Sequence, residues 1–174
     1  MRADIQVMQG FIDTLVGVPK FSYPARQDAD RPTDEFAVIS LLTERAVGLP
    51  NSSISSSDEL TTTRVHSTPS ELRFRVGLVE TDGEKSFKIM HGWHLESIKQ
   101  LMMKTGYGFR SCHPISLEDA KLESFWEARQ GFSIDVYVTR QHTEVIDNMT
   151  SLVIGGEYIV PDLSTIALNI NINP

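Results

Sequence analysis

From Phe125 to Val138 the chain reads Phe-Trp-Glu-Ala-Arg-Gln-Gly-Phe-Ser-Ile-Asp-Val-Tyr-Val. The second half alternates: Phe132, Ile134, Val136 and Val138 fall on one side, and Ser133, Asp135, Tyr137 and Thr139 on the other. A period of two marks a strand with one buried and one wet face. The first half extends the alternation as Phe-x-Glu-x-Arg. This puts Glu127 and Arg129 on one strand face, spaced to form an ion pair across neighbouring strands or a subunit contact. A strand of this kind constrains the fold because it demands an apolar layer on one face only. The expectation is a sheet covered by helices.

The other periodicities supply those elements. Ile5, Met8, Phe11, Ile12 and Leu15 recur at helical spacing, so 2–16 is an amphipathic helix stopped by Gly17 and Pro19. Residues 17–34 hold three prolines among polar residues and read as a long extended loop. Phe36 to Val47 begins with a nearly continuous apolar run and reads as a central strand. Leu49 to Asp58 is Ser-rich and reads as a loop. Thr61–His66 and Leu72–Val79 read as two antiparallel strands joined by Ser67-Thr-Pro-Ser70. From Glu84 to Lys104 one helical stripe runs through Phe87, Met90, Trp93 or His94, Leu95, Ile98, Leu101 and Met102, ended by Gly106 and Gly108. Tyr107–Cys112 reads as a short strand, Leu117–Leu122 as a link, and His142–Thr150 is ambiguous. Short strands are expected on either side of Gly155-Gly156. Ile166, Leu168, Ile170 and Ile172 alternate with Ala167 and three asparagines as a C-terminal strand or arm. The fold class is α+β (α/β): a single mixed, mostly antiparallel sheet flanked by two helices.

At 174 residues and 40% hydrophobic, the chain suits one domain with a packed core. No apolar run reaches the roughly 18–20 residues that span a bilayer, and the N-terminus lacks an export signal, so no membrane partner is expected. A single cysteine, Cys112, forms no internal disulfide. A net charge of −7 disfavours a nucleic-acid-binding module, which needs clustered Lys and Arg.

Motifs for chemistry are incomplete. His91 and His94 lie three apart, but a zinc site needs further ligands, and His66, His113 and His142 sit in unrelated contexts. Cys112-His113 would point to opposite faces of a strand, so it forms no nucleophile–base pair. Gly83-Glu-Lys-Ser86 lacks the upstream glycine of a phosphate loop, since position 78 is Leu. Asn51-Ser-Ser53 and Asn148-Met-Thr150 match the glycosylation sequon, without significance in the absence of an export signal. No cofactor, metal or catalytic residue is expected. A small cytosolic enzyme using His91, His94 or Cys112 is the less favoured alternative.

The order of signals, with Pro32-x-x-x-Phe-Ala-Val-Ile-Ser-Leu-Leu42 and Phe125-x-Glu-x-Arg-x-x-Phe-x-Ile-x-Val136, resembles the tail or neck terminator proteins of tailed bacteriophages. The resemblance covers most of residues 1–150, a terminator-like domain; 151–174 departs from it as a C-terminal extension or arm. It implies a structural virion protein, assembled in the bacterial cytoplasm and located in the neck. That protein forms a hexameric ring that ends tail-tube polymerisation and joins the tail to the head-completion connector, and in a contractile tail it also anchors the sheath. DNA passes through the ring without specific binding. Six copies would carry a formal charge of about −42, which favours passage where it lines the lumen. The implied alternative is another head–tail connector, a stopper or adaptor. Glu127 and Arg129 are then candidate subunit or register contacts. Ile166, Leu168, Ile170 and Ile172 are a candidate assembly arm, which either completes the chain's own sheet or adds to a neighbour's.

Overall fold

The structure is a computed structural model describing residues 3–25, 32, 34–56, 61–79, 81, 83–115, 120–122, 125–127, 129–147, 152–159 and 165–172. In chain order the elements are α1 (Ala3–Val16), β1 (Ser22–Pro24), β2 (Phe36–Ala46), β3 (Asn51–Ser56), β4 (Thr61–Val79), α2 (Gly83–His91), a 3-10 turn (Gly92–His94) and α3 (Glu96–Thr105). They continue as β5 (Tyr107–Ile115), β6 (Ala120–Leu122), β7 (Phe125–Glu127), β8 (Arg129–Asp147), β9 (Leu152–Ile159) and β10 (Thr165–Ile172). One mixed sheet runs β1-β2-β4-β8-β5, with β3 also beside β4; β6–β7 and β9–β10 are separate two-stranded sheets. β1 is parallel to β2, whereas β2 and β3 are antiparallel to β4, and β5 to β8. This is the α+β class expected, with three α-helices among the described residues in place of two.

The chain divides into two compact units, Met1–Leu49 with Thr68–Arg140, and Pro50–Ser67 with Gln141–Pro174. The first unit holds the core. Met8, Phe11, Ile12, Leu15 and Val16 of α1 are buried at helical spacing, as are Ile89, Ile98 and Met102 of α2 and α3. They cluster with Ile39, Leu72, Phe74, Val76, Leu78, Phe132, Ile134 and Val136, all of one strand parity. Each such side chain stabilises by roughly 1.5–3 kcal/mol through burial. Phe11 meets Trp93 and Tyr107 edge-on at 6.2 and 6.1 Å, and Trp93 stacks on Phe109 at 4.8 Å. The Trp93 indole N–H donates to the Ile89 carbonyl at 2.6 Å, satisfying its polar edge inside the core.

Several sequence expectations change here. The helix expected from Glu84 to Lys104 breaks at Gly92-Trp93-His94, and Leu95 is extended at φ −63°, ψ 142°. A Cβ on Gly92 would lie 2.5 Å from the Leu15 side chain, so the break sits where the backbone packs tightly against α1. The break also changes which residues face inward: Ile89 is fully buried, while Phe87 and Leu95, expected in the stripe, are exposed. α3 ends as expected, on Gly106 at φ +74°. The Pro-containing loop contributes β1, held to α1 by Asp13. That carboxylate accepts from the Lys20 and Ser22 backbone N–H at 2.9 Å each and from the Ser22 hydroxyl at 2.6 Å.

The proposed hairpin around Ser67-Thr-Pro-Ser70 is one continuous strand, β4. Residues 70–79 pair with β2, and 62–67 pair with β3. Pro69 costs no ladder bond as an acceptor: its carbonyl takes the Val47 N–H at 2.7 Å. The Ser-rich segment expected as a loop is therefore strand β3, because a strand edge of β4 is available to it. The long strand that dominates the sequence is also divided. Phe125–Glu127 pairs with β6, while Arg129 opens β8, which continues through the ambiguous segment to Asp147.

In the second unit β3 pairs with the first part of β4, and His66 Nε2 lies 3.5 Å from Glu144. β9 runs unbroken through Gly155 and Gly156 and pairs antiparallel with β10, from Thr165↔Ile159 to Ile172↔Leu152. Leu152–Ile159 is thus one strand where two short ones were expected.

Candidate functional site

All three helices pack against the parity of the sheet that carries Ile39, Phe74 and Ile134. The opposite parity carries a charged array. Glu71, only 3% exposed, accepts both oxygens' worth of hydrogen bonds from Arg45 at 3.1 Å, and Arg110 also pairs with it. Asp135 accepts from Arg73 through two bonds of 2.7 and 3.0 Å and from the Ser111 hydroxyl at 3.2 Å. The Arg110 guanidinium lies 5.6 Å from the Tyr137 ring centroid. Arg75 is exposed and makes no ion pair among the described residues. The carboxylates are buried while the arginines above them are about 40–60% exposed. The hydrogen bonds from Arg73 hold the Asp135 carboxyl below the usual carboxylate range, against the opposing effect of burial.

A second network ties α1 to the sheet. Arg140 bonds Glu44 at 2.7 Å and Asp4 at 2.9 Å, and the Tyr107 hydroxyl donates to Asp4 at 2.6 Å. Burial pushes the Asp4 carboxyl up, but the bonds from Tyr107 and Arg140 outweigh it and leave it lowered. Burial, followed by the bond to Asp4, pushes the Tyr107 phenol up to about 12.

The residues singled out in sequence are dispersed. His91 ends α2 with its ring against Phe87, while His94 sits in the 3-10 turn near Phe109; both are exposed. Among the described residues no three His, Cys, Asp or Glu side chains gather as a metal site. Cys112 is opposite Ile134 in the ladder and His113 opposite Ser133, so the two face opposite ways. The Cys112 sulfur lies 3.8 Å from the Ile89 carbonyl, and burial pushes the thiol up to about 11, away from nucleophilic use. Gly83–Ser86 opens α2. There Lys85 pairs with Glu35, and the Ser86 hydroxyl bonds Gln130. Asn51 begins β3; Asn148 and Thr150 lie outside the described residues.

Glu127 closes β7 and Arg129 opens β8, so the two belong to different sheets and not to one strand face. Ile166, Leu168, Ile170 and Ile172 lie in β10, opposite Tyr158, Gly156, Ile154 and Leu152 of the same chain. The array of Arg45, Glu71, Arg73, Arg110 and Asp135 was not anticipated. Its signal was present in the polar alternates of the apolar strands, but the pairing of β4 with β8 that joins Arg73 to Asp135 is not a sequence property.

What the geometry offers is a helix-backed sheet with a polar open face, a three-residue edge strand at one side and charge networks that fix register. The sequence profile of a family described as phage neck terminator protein matches residues 5–162. The chain belongs to the phage neck terminator protein family. No curated protein matches the sequence. Membership places the chain among bacteriophage structural proteins of the neck. Among the described residues no helix is long and apolar enough to cross a membrane.

Proposed function

We propose that this neck terminator assembles as a hexameric ring on the head-proximal end of the tail tube. It ends tube polymerisation and joins the tail to the head-completion connector, with DNA passing through the lumen. The family match over residues 5–162 carries the proposal. The fold suits it physically. A ring needs head-to-tail contacts that close by rotation, and such contacts use sheet edges and open faces. The six-stranded sheet ends on the three-residue strand β1 at one side and on β5 at the other. The net charge of −7 per chain disfavours retention of DNA where it faces the lumen.

Residues 1–150 are proposed as the terminator body and 151–174 as an arm. In the arm Ile166, Leu168, Ile170 and Ile172 supply an apolar alternation for contact with neighbours. Glu127 and Arg129 are proposed to hold subunit register from the two sides of residue 128. The protein acts in the virion, with tube protein, connector and, in a contractile tail, sheath as partners, and without catalysis.

Native mass spectrometry of the purified chain tests this. The expected result is a sixfold species that caps tubes of the cognate tail protein. A twelvefold ring that binds a portal and ignores the tube would favour an adaptor instead. A chain that stays monomeric at high concentration and leaves tube length unchanged would overturn the terminator role.

A further inference from the structure

The open face of the sheet has the opposite sign to the chain that carries it. Arg45, Arg73, Arg75 and Arg110 project there over Glu71 and Asp135, which leaves a formal charge of +2 on a chain of −7. The two carboxylates are 3% and 5% exposed, while the paired arginines are 39–63% exposed. The buried acids therefore anchor the guanidiniums from beneath and leave their outer edges available. Planar guanidiniums held in this way match carboxylates with two-pronged hydrogen bonds.

The complementary surface is in the same sequence. After Arg140 the chain holds no Lys or Arg; residues 141–174 contain Glu144, Asp147, Glu157 and Asp162, a formal −4. That segment also contains β9 and β10, which among the described residues pair with each other and with no further strand. A two-stranded sheet is marginal by itself and gains from packing on another surface.

We infer that the arginine face of one copy receives the acidic C-terminal segment, 141–174, of a neighbouring copy. The inference rests on the ring assignment above and names the surfaces that close it. The contact is heterologous: each copy offers the face once and the segment once, as a closed ring requires. It also covers the basic patch, leaving the rest of the assembly more uniformly acidic toward DNA. Because the surfaces attract through charge, assembly weakens as salt rises.

The test is sedimentation of the full chain across a concentration series, in low and high salt, for five variants. Arg75→Glu and the milder Arg75→Gln alter the face at an exposed position with no ion pair to break among the described residues. Asp147→Lys/Glu157→Lys alters the segment, and the triple variant combines Arg75→Glu with both lysines. Asp135→Asn reports on anchoring beneath the face. Arg75→Glu and the double lysine variant are each expected to raise the concentration of half-assembly by roughly tenfold or more. Arg75→Gln has a smaller effect in the same direction, and the triple variant restores assembly. Thermal melts confirm folding. A wild-type ring indifferent to all the charge changes overturns this inference and leaves the ring assignment standing. A wild-type chain that never assembles overturns both. Loss of duplex-DNA retention by Arg75→Glu, with assembly unchanged, assigns the face to phosphate and overturns the inference.

Discussion

Asp135 and Cys112 titrate in opposite directions because a guanidinium hydrogen bond outweighs burial at the first, while burial dominates at the second. Asp135 is held ionised by Arg73, so its native pKa lies below the ordinary 3.8. A carboxylate with a depressed native pKa contributes stability above its unfolded value and loses it as pH falls through the native one. Asp135→Asn is therefore expected to lower stability at neutral pH by about 1–2 kcal/mol, at the modest end because Arg73 is half in solvent. It also flattens the loss of melting temperature below about pH 4. Melts from pH 2 to 7 measure this; identical acid limbs in both proteins would remove the role given to the Arg73 bond. Cys112 is the reverse case, its thiol raised to about 11 by burial. At pH 8 the native protein holds about a hundredfold less thiolate than a free cysteine with the ordinary value of 9. Iodoacetamide should label it slowly until denaturant is added. Equal rates in native and denaturing buffer would contradict the packing of Cys112 under Ile89.

At the scale of elements, the position of α1 depends on few polar ties around an apolar stripe. The Tyr107 hydroxyl links the first turn of α1 to the start of β5 through Asp4. The phenol is raised to about 12 from 10, so it favours folding below pH 10, and that contribution is lost as pH rises toward 12. Tyr107→Phe should cost about 1 kcal/mol at neutral pH and remove this alkaline loss. Hydrogen exchange in the first turn of α1 should quicken at the same time; unchanged exchange would show that packing alone seats the helix. α1 was legible in sequence because its apolar residues recur at 3.6 and one glycine follows. The broken α2–α3 pair was not, since the glycine at the break packs against Leu15, a contact far away in sequence. β3 was illegible for a related reason: a Ser-rich segment carries no periodicity and becomes a strand only where β4 offers an edge.

For the whole molecule, the unresolved choice was whether the C-terminal strand serves its own chain or another. In the structure β10 pairs with β9 of the same chain, outside the six-stranded sheet. Removing 165–174 takes away one strand of a two-stranded sheet and none of the core cluster formed among the described residues. The truncated protein should keep its circular dichroism spectrum and melt within a few degrees of the full chain. Its oligomer mass should fall. A truncated chain that still forms complete rings would sink the assembly role of Ile166, Leu168, Ile170 and Ile172.

Local periodicity determined the α+β class, the buried alternates Phe132, Ile134 and Val136, the apolar face of α1 and the place of Cys112 away from any dyad. The order of those signals was enough to indicate the family. Only tertiary structure decided that Thr61–Val79 is one strand, that Glu127 and Arg129 belong to different sheets, and that Arg73 meets Asp135. The physical reason is that periodicity records which face of an element is buried, a property of near neighbours in sequence. Strand pairing, helix crossing and the meeting of charges 62 residues apart depend on which surfaces are left over once the core has closed.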